Sequence, residues 1–155
     1  MPKKVFVSYA QVPEEHKLRV AELVASLRAA GLSVFDQDVT SLQEPPEGWG
    51  YWINQIEQAD WVLVVCNEAY YRWFLDEEPD LGRGTRVQRT IIRQTLYEYG
   101  MRKQKLLLVL LGDDETTAHI PGPLQRGTYY YRLPADLPKL TSVLTGNSPP
   151  PTYPS

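Results

Sequence analysis

Two stretches of the chain, Trp61-Val62-Leu63-Val64-Val65-Cys66 and Leu106-Leu107-Leu108-Val109-Leu110-Leu111, are almost wholly apolar over six consecutive positions. A strand with one solvated face alternates polar and apolar side chains. An unbroken apolar run of this length therefore describes a strand covered on both faces, as in a parallel sheet layered between helices. The same runs are far too short to cross a bilayer.

The segments around them fit that architecture. Val5 to Tyr9 is a short run of β-branched and aromatic residues ending in small polar ones, which predicts a strand and then a loop. Pro13-Glu14-Glu15 opens a helix with Leu18, Ala21, Val24 and Leu27 at helical spacing and Gly31 just past its end. Leu32 to Phe35 predicts a second strand, and Asp36 to Gly48, with its prolines and acids, a long loop. Trp49, Trp52, Ile53 and Ile56 predict a helix closing near Ala59-Asp60, and Arg86 to Gly100 another, capped by Gly100. Lys105 to Leu111 and Tyr129 to Leu133 complete five strands, and Leu137 to Leu144 is a short last helix. Strands alternating with helices imply right-handed crossovers. The expected fold class is α/β, a flavodoxin-like three-layer arrangement with a five-stranded parallel sheet flanked by helices. A dinucleotide-binding Rossmann domain would need more chain and a G-x-G-x-x-G turn after the first strand. The domain is expected over 1–146. Residues 147–155, with Pro149, Pro150, Pro151 and Pro154, read as an extended linker leading to another domain.

Charge and cysteine usage narrow the function classes. Sixteen basic and nineteen acidic residues give a net charge of −3, which disfavours direct nucleic-acid binding through general attraction. The single cysteine, Cys66, excludes an internal disulfide and a cysteine-based zinc cluster, and it fits a reducing cytoplasm. Ending a buried strand, it is expected to be chemically inert. His16 falls in a helix expected on the surface and His119 in a loop, so neither a metal pair nor a triad is expected. No membrane association is expected.

In an open parallel sheet, ligands sit beyond the carboxyl ends of the strands where strand order reverses. That places Ser8, Tyr9, the loop from Asp36 and the residues after Cys66 around one crevice. Asp36-Gln37-Asp38 offers carboxylates to a hydroxylated ligand or a basic partner, or is simply a solvated turn. Trp49, Tyr51, Trp52, Tyr70, Tyr71, Trp73 and Phe74 form two aromatic groups beside the central strand. They suit packing, or stacking on a base. Arg83 and Arg86 near Gly82 and Gly84 suit an anion at the start of the next helix.

In order along the chain, these pieces are Val5 to Tyr9, Leu32 to Asp38, Gly48-Trp49 to Trp52 and Ala59 to Cys66. Gly82-Arg83-Gly84 leading to Ile91 to Tyr97, Pro121 with Pro123-Leu124, and Tyr130 to Leu133 follow. Over about residues 3 to 145 the pattern resembles the SEFIR family, a branch of the Toll/interleukin-1 receptor (TIR) superfamily. The resemblance implies a TIR-like cytoplasmic signalling domain that assembles with copies of itself or related domains, using the loop from Asp36 to Gly48. With its proline-rich tail and no membrane segment, the chain looks more like a bacterial immune or anti-phage defence module than a receptor tail.

Some relatives hydrolyse NAD+ to nicotinamide and ADP-ribose with a glutamate on the helix after the central strand. NAD is thus the implied substrate, with no metal. Ser8, Tyr9, Asp36, Gln37, Asp38, Trp49, Tyr70, Arg83 and Arg86 are the implied binding residues. At the glutamate's position this chain has Gln88, which keeps the shape and loses the charge. Gln88 fits an inactive natural variant or an engineered substitution; with the match out of step, Glu98, toward the end of that helix, is the nearest carboxylate. Two readings follow: an NAD glycohydrolase and a non-catalytic interaction scaffold. A phosphoryl-accepting receiver, which shares the strand order, ranks below both, because Ser8-Tyr9 and Asn67-Glu68 stand where it needs acids.

Overall fold

The computed structural model describes residues 3–10, 13–38, 49–74, 94–95, 98, 106–112, 115–120 and 130–149. The elements in chain order are β1 (Lys4–Tyr9), α1 (Glu14–Ala29), β2 (Ser33–Asp38), α2 (Trp49–Gln58), β3 (Trp61–Cys66) and α3 (Glu68–Phe74). They are followed by β4 (Leu106–Leu111), a 3-10 turn (Thr117–His119), β5 (Tyr130–Leu133) and α4 (Leu137–Leu144). The five strands form one sheet in the order β2-β1-β3-β4-β5. Every pairing is parallel. This is the flavodoxin-type order, and the strand direction of travel reverses between β1 and β3.

The two apolar runs lie where their composition requires. β4 is buried along its whole length and β3 from its second residue onward. Alternate residues of these strands feed two separate cores. Phe6, Val62, Val64, Cys66, Leu106, Leu108 and Leu110 pack with Ile56 of α2 and Tyr70 of α3. Val5, Val7, Leu63, Val65, Leu107, Val109 and Leu111 pack on the opposite face with α1 and α4. The period of two along each strand thus sorts one run of residues into two helical layers. On the first face Phe6 stacks on Phe35 at 5.6 Å between centroids, and Phe35 meets the edge of Tyr51 at 5.9 Å, which seats α2 against β1 and β2.

Helix ends are set by backbone geometry. After α1, Gly31 adopts φ 92°, its N–H donates to Arg28 O, and Leu32 N–H reaches back to Leu27 O. These are the two bonds of a Schellman ending, and Leu27 and Leu32, both buried, supply its apolar contact. Gly146 at φ 84° closes α4 in the same way, with bonds to Val143 O from Gly146 and to Ser142 O from Asn147.

Four expectations change. Asp36, Gln37 and Asp38 belong to β2, because the β1 ladder continues through Val7–Asp36, Ser8–Gln37 and Tyr9–Asp38. The polar and aromatic stretch after β3 contains α3, a helix that its lack of apolar periodicity hid. In α1 the buried face is His16, Val20, Leu23, Val24 and Leu27, while Leu18 is 57% exposed. His16 therefore lies inside the molecule and not on its surface. The loop 39–48, Gly82 to Gly84, most of the helix expected over 86–100 and the tail 150–155 lie outside the described residues. Among the described residues no helix is long and apolar enough to cross a membrane.

Candidate functional site

The carboxyl ends of β1 and β3 flank the point of strand reversal, so their last side chains form the floor of any crevice there. On β1, Ser8 shares a face with Phe6 and is fully buried. Directly after β3, Asn67 caps α3: its Oδ1 accepts the Tyr70 N–H at 2.9 Å and its carbonyl accepts Tyr71 N–H at 2.9 Å. An asparagine whose side chain bonds the third helical residue fixes the direction in which the helix leaves the strand. That direction carries the Tyr70 ring under the sheet edge, where its hydroxyl and Ser8 Oγ share a hydrogen bond of 2.9 Å. Both side chains are 0% exposed. The floor is closed by the protein itself.

Titration in this floor is suppressed by burial. Burial pushes the Tyr70 phenol and the Cys66 thiol up, the thiol further through the nearby negative charge of Glu115. Cys66 Sγ lies 3.8 Å from Val64 O, a weak sulfur contact inside the core. A thiol held protonated and dry is neither nucleophile nor metal ligand.

Next to this floor stands a group that sequence patterning passed over. Glu115 Oε2 lies 3.9 Å from His119 Nδ1, and the His119 and Tyr71 rings are 6.0 Å apart. The Glu115 side chain is 19% exposed and that of His119 30%. Arg132 of β5 holds this loop, donating from Nη1 to both Gly112 O and Glu115 O at 2.8 Å. Thr116 accepts Ala118 N–H at the start of the turn that carries His119. An acid and an imidazole four residues apart just past a buried strand was the available signal.

Of the residues implied by the sequence, the structure brings Ser8 and Tyr70 into contact. It pairs Ser8 and Tyr9 in register with Gln37 and Asp38. Asp36 is exposed and ion-paired to Arg28 at 3.4 Å, so its carboxylate is held on the outer edge of the sheet. Trp49 opens α2. Arg83, Arg86 and Gln88 lie outside the described residues. A groove of about 360 Å³ lies elsewhere, between α1 and α4, with Leu23, Leu111, Leu133 and Leu137 among its lining. It is mainly apolar, and neither Ser8 nor Tyr70 is among its lining. Among the described residues no group of three or more His, Cys, Asp or Glu side chains is placed to hold a metal ion.

Comparison with known proteins adds a family-level likeness. The family model described as the SEFIR domain matches residues 3–144. A crystal structure of a prokaryotic SEFIR domain superimposes with a TM-score of 0.65 at 20% identity, covering 98% of this chain and 99% of that one. Weaker likenesses are a diflavin flavoprotein A3 from Nostoc sp. (TM-score 0.47, 9% identity, 76% of this chain and 66% of that one) and a CheY-like receiver domain from Methanospirillum hungatei JF-1 (TM-score 0.40, 15% identity, 93% and 95%). No curated protein matches the chain.

Proposed function

The chain belongs to the SEFIR family of TIR-like signalling domains, and from that premise we propose that it signals by self-association, its assembled form hydrolysing NAD+ to nicotinamide and ADP-ribose. The module would serve a bacterial immune or anti-phage defence protein in the cytoplasm. The observation that carries this reading is the closed floor. In a single chain, Ser8 and Tyr70 occupy the place where this fold usually receives a ligand. On this reading a dinucleotide lies above the floor, within a rim shared between copies. Contacts between copies complete such a rim and hold the dinucleotide in place for attack by water at the reacting bond.

Self-association without catalysis is the second reading, and Gln88 favours it. An amide there cannot stabilise a developing positive charge as a carboxylate does. One assay separates the two. Nicotinamide released from NAD+ is measured against protein concentration for the native chain and for Gln88→Glu. The catalytic reading expects release whose specific rate rises with concentration in at least one of the two proteins. Release from neither at concentrations where copies associate leaves the scaffold.

A further inference from the structure

With an amide at position 88, a carboxylate near the end of β3 would have to come from elsewhere in the chain. Among the described residues, Asp36 is exposed and paired with Arg28, and Glu68 is exposed and paired with Arg72 at 2.9 Å. Glu98 is exposed. Glu115 differs from all three. Its side chain is four-fifths buried, it stands beside an imidazole, and its backbone is clamped by Arg132. Its charge also acts on Cys66, which ends the strand beside the floor.

We propose that Glu115 is the catalytic carboxylate of this chain, with His119 as its proton partner and the Tyr71 ring as a platform for the nicotinamide. The proposal rests on the NAD-hydrolysing reading above. In the reaction the bond between ribose C1′ and the nicotinamide nitrogen breaks, and its electron pair passes to the ring nitrogen, cancelling the pyridinium charge. The cation left on the ribose is stabilised by the Glu115 carboxylate. A water oxygen then bonds to C1′, and its proton passes through Glu115 to His119 and out to solvent. NAD+ and water thus give nicotinamide, ADP-ribose and one proton.

The pair is suited to that transfer. His119 Nδ1 is shielded from solvent, has no hydrogen-bond partner among the described residues, and sits 3.9 Å from the carboxylate, just beyond bonding distance. Acid–base pairs are often this loose before substrate binds. An electron-rich phenol ring nearby favours a cationic heterocycle over its neutral product.

The test uses the whole chain at concentrations where it associates and compares native protein, Glu115→Gln, Glu115→Asp, Gln88→Glu and the double variant Gln88→Glu/Glu115→Gln. Nicotinamide release is read as kcat and KM, and thermal melting confirms that each variant folds. The expected result is a fall in kcat of roughly 100-fold for Glu115→Gln with KM little changed, and partial recovery in Glu115→Asp. Native rates in Glu115→Gln overturn the proposal while leaving NAD hydrolysis standing. A silent native chain with an active Gln88→Glu also overturns it, since Glu115 then supplies no catalysis. Silence in all five proteins removes the NAD-hydrolysing reading itself.

Discussion

Ser8 Oγ lies 2.9 Å from the Tyr70 hydroxyl and joins the end of β1 to α3 across 62 positions of sequence. Because both groups are fully buried, the contact gives Ser8 Oγ the hydrogen bond that water would otherwise supply. The contact seals the sheet edge at the point of strand reversal and orients α3, which carries Tyr71 toward His119.

Removing one hydroxyl should therefore cost more than removing both. Tyr70→Phe leaves Ser8 unpaired in a dry site and should destabilise the fold by about 1–3 kcal/mol. Adding Ser8→Ala should restore part of that loss. Urea unfolding of the two single variants and the double variant measures the coupling, and additive losses would contradict the account.

His16 makes stability depend on pH. Burial, aided by the positive charge of Arg19, lowers its pKa from 6.5 to about 4. Between these values the unfolded chain takes up a proton that the folded chain refuses, so stability falls as pH drops from about 6.5 to about 4 and this contribution levels off below. His16→Leu should lack that contribution. Its stability relative to the native chain should rise steadily as pH is lowered through the window, read by thermal melting at several pH values.

Cys66 should be unreactive in the folded protein. Burial raises its pKa and encloses the sulfur, so an alkylating reagent should label it no faster than the chain opens. Fast labelling at neutral pH without denaturant would contradict the packing of β3 described above.

Gly31 is held at φ 92°, a conformation that a Cβ disfavours, although the space around it is open. Gly31→Ala should cost about 1–2 kcal/mol through backbone strain alone. Chemical denaturation measures it, and an unchanged midpoint would show that the α1 ending relaxes.

The layers were legible in the sequence because β3 and β4 carry no polar residue to interrupt them, and only burial on both faces accommodates that. Gly31 was legible for a similar reason, as a residue suited to one backbone conformation. The inner face of α1 was not. Leu18 looks like core, yet it points outward, and His16 points inward because tertiary packing outweighed hydrophobicity at those positions. α3 was hidden because Glu68 to Phe74 mixes charged and aromatic residues; its start is set by the Asn67 cap rather than by periodicity. The pairing of Glu115 with His119 was not legible, because it depends on where Arg132, from a distant strand, pins the loop.

The claim that this domain works by assembling with itself is tested most directly by static light scattering of the chain over a wide concentration range. The account predicts a weight-average mass that climbs above the 17.7 kDa of one chain as concentration rises. A mass fixed at one chain over the whole range would contradict it.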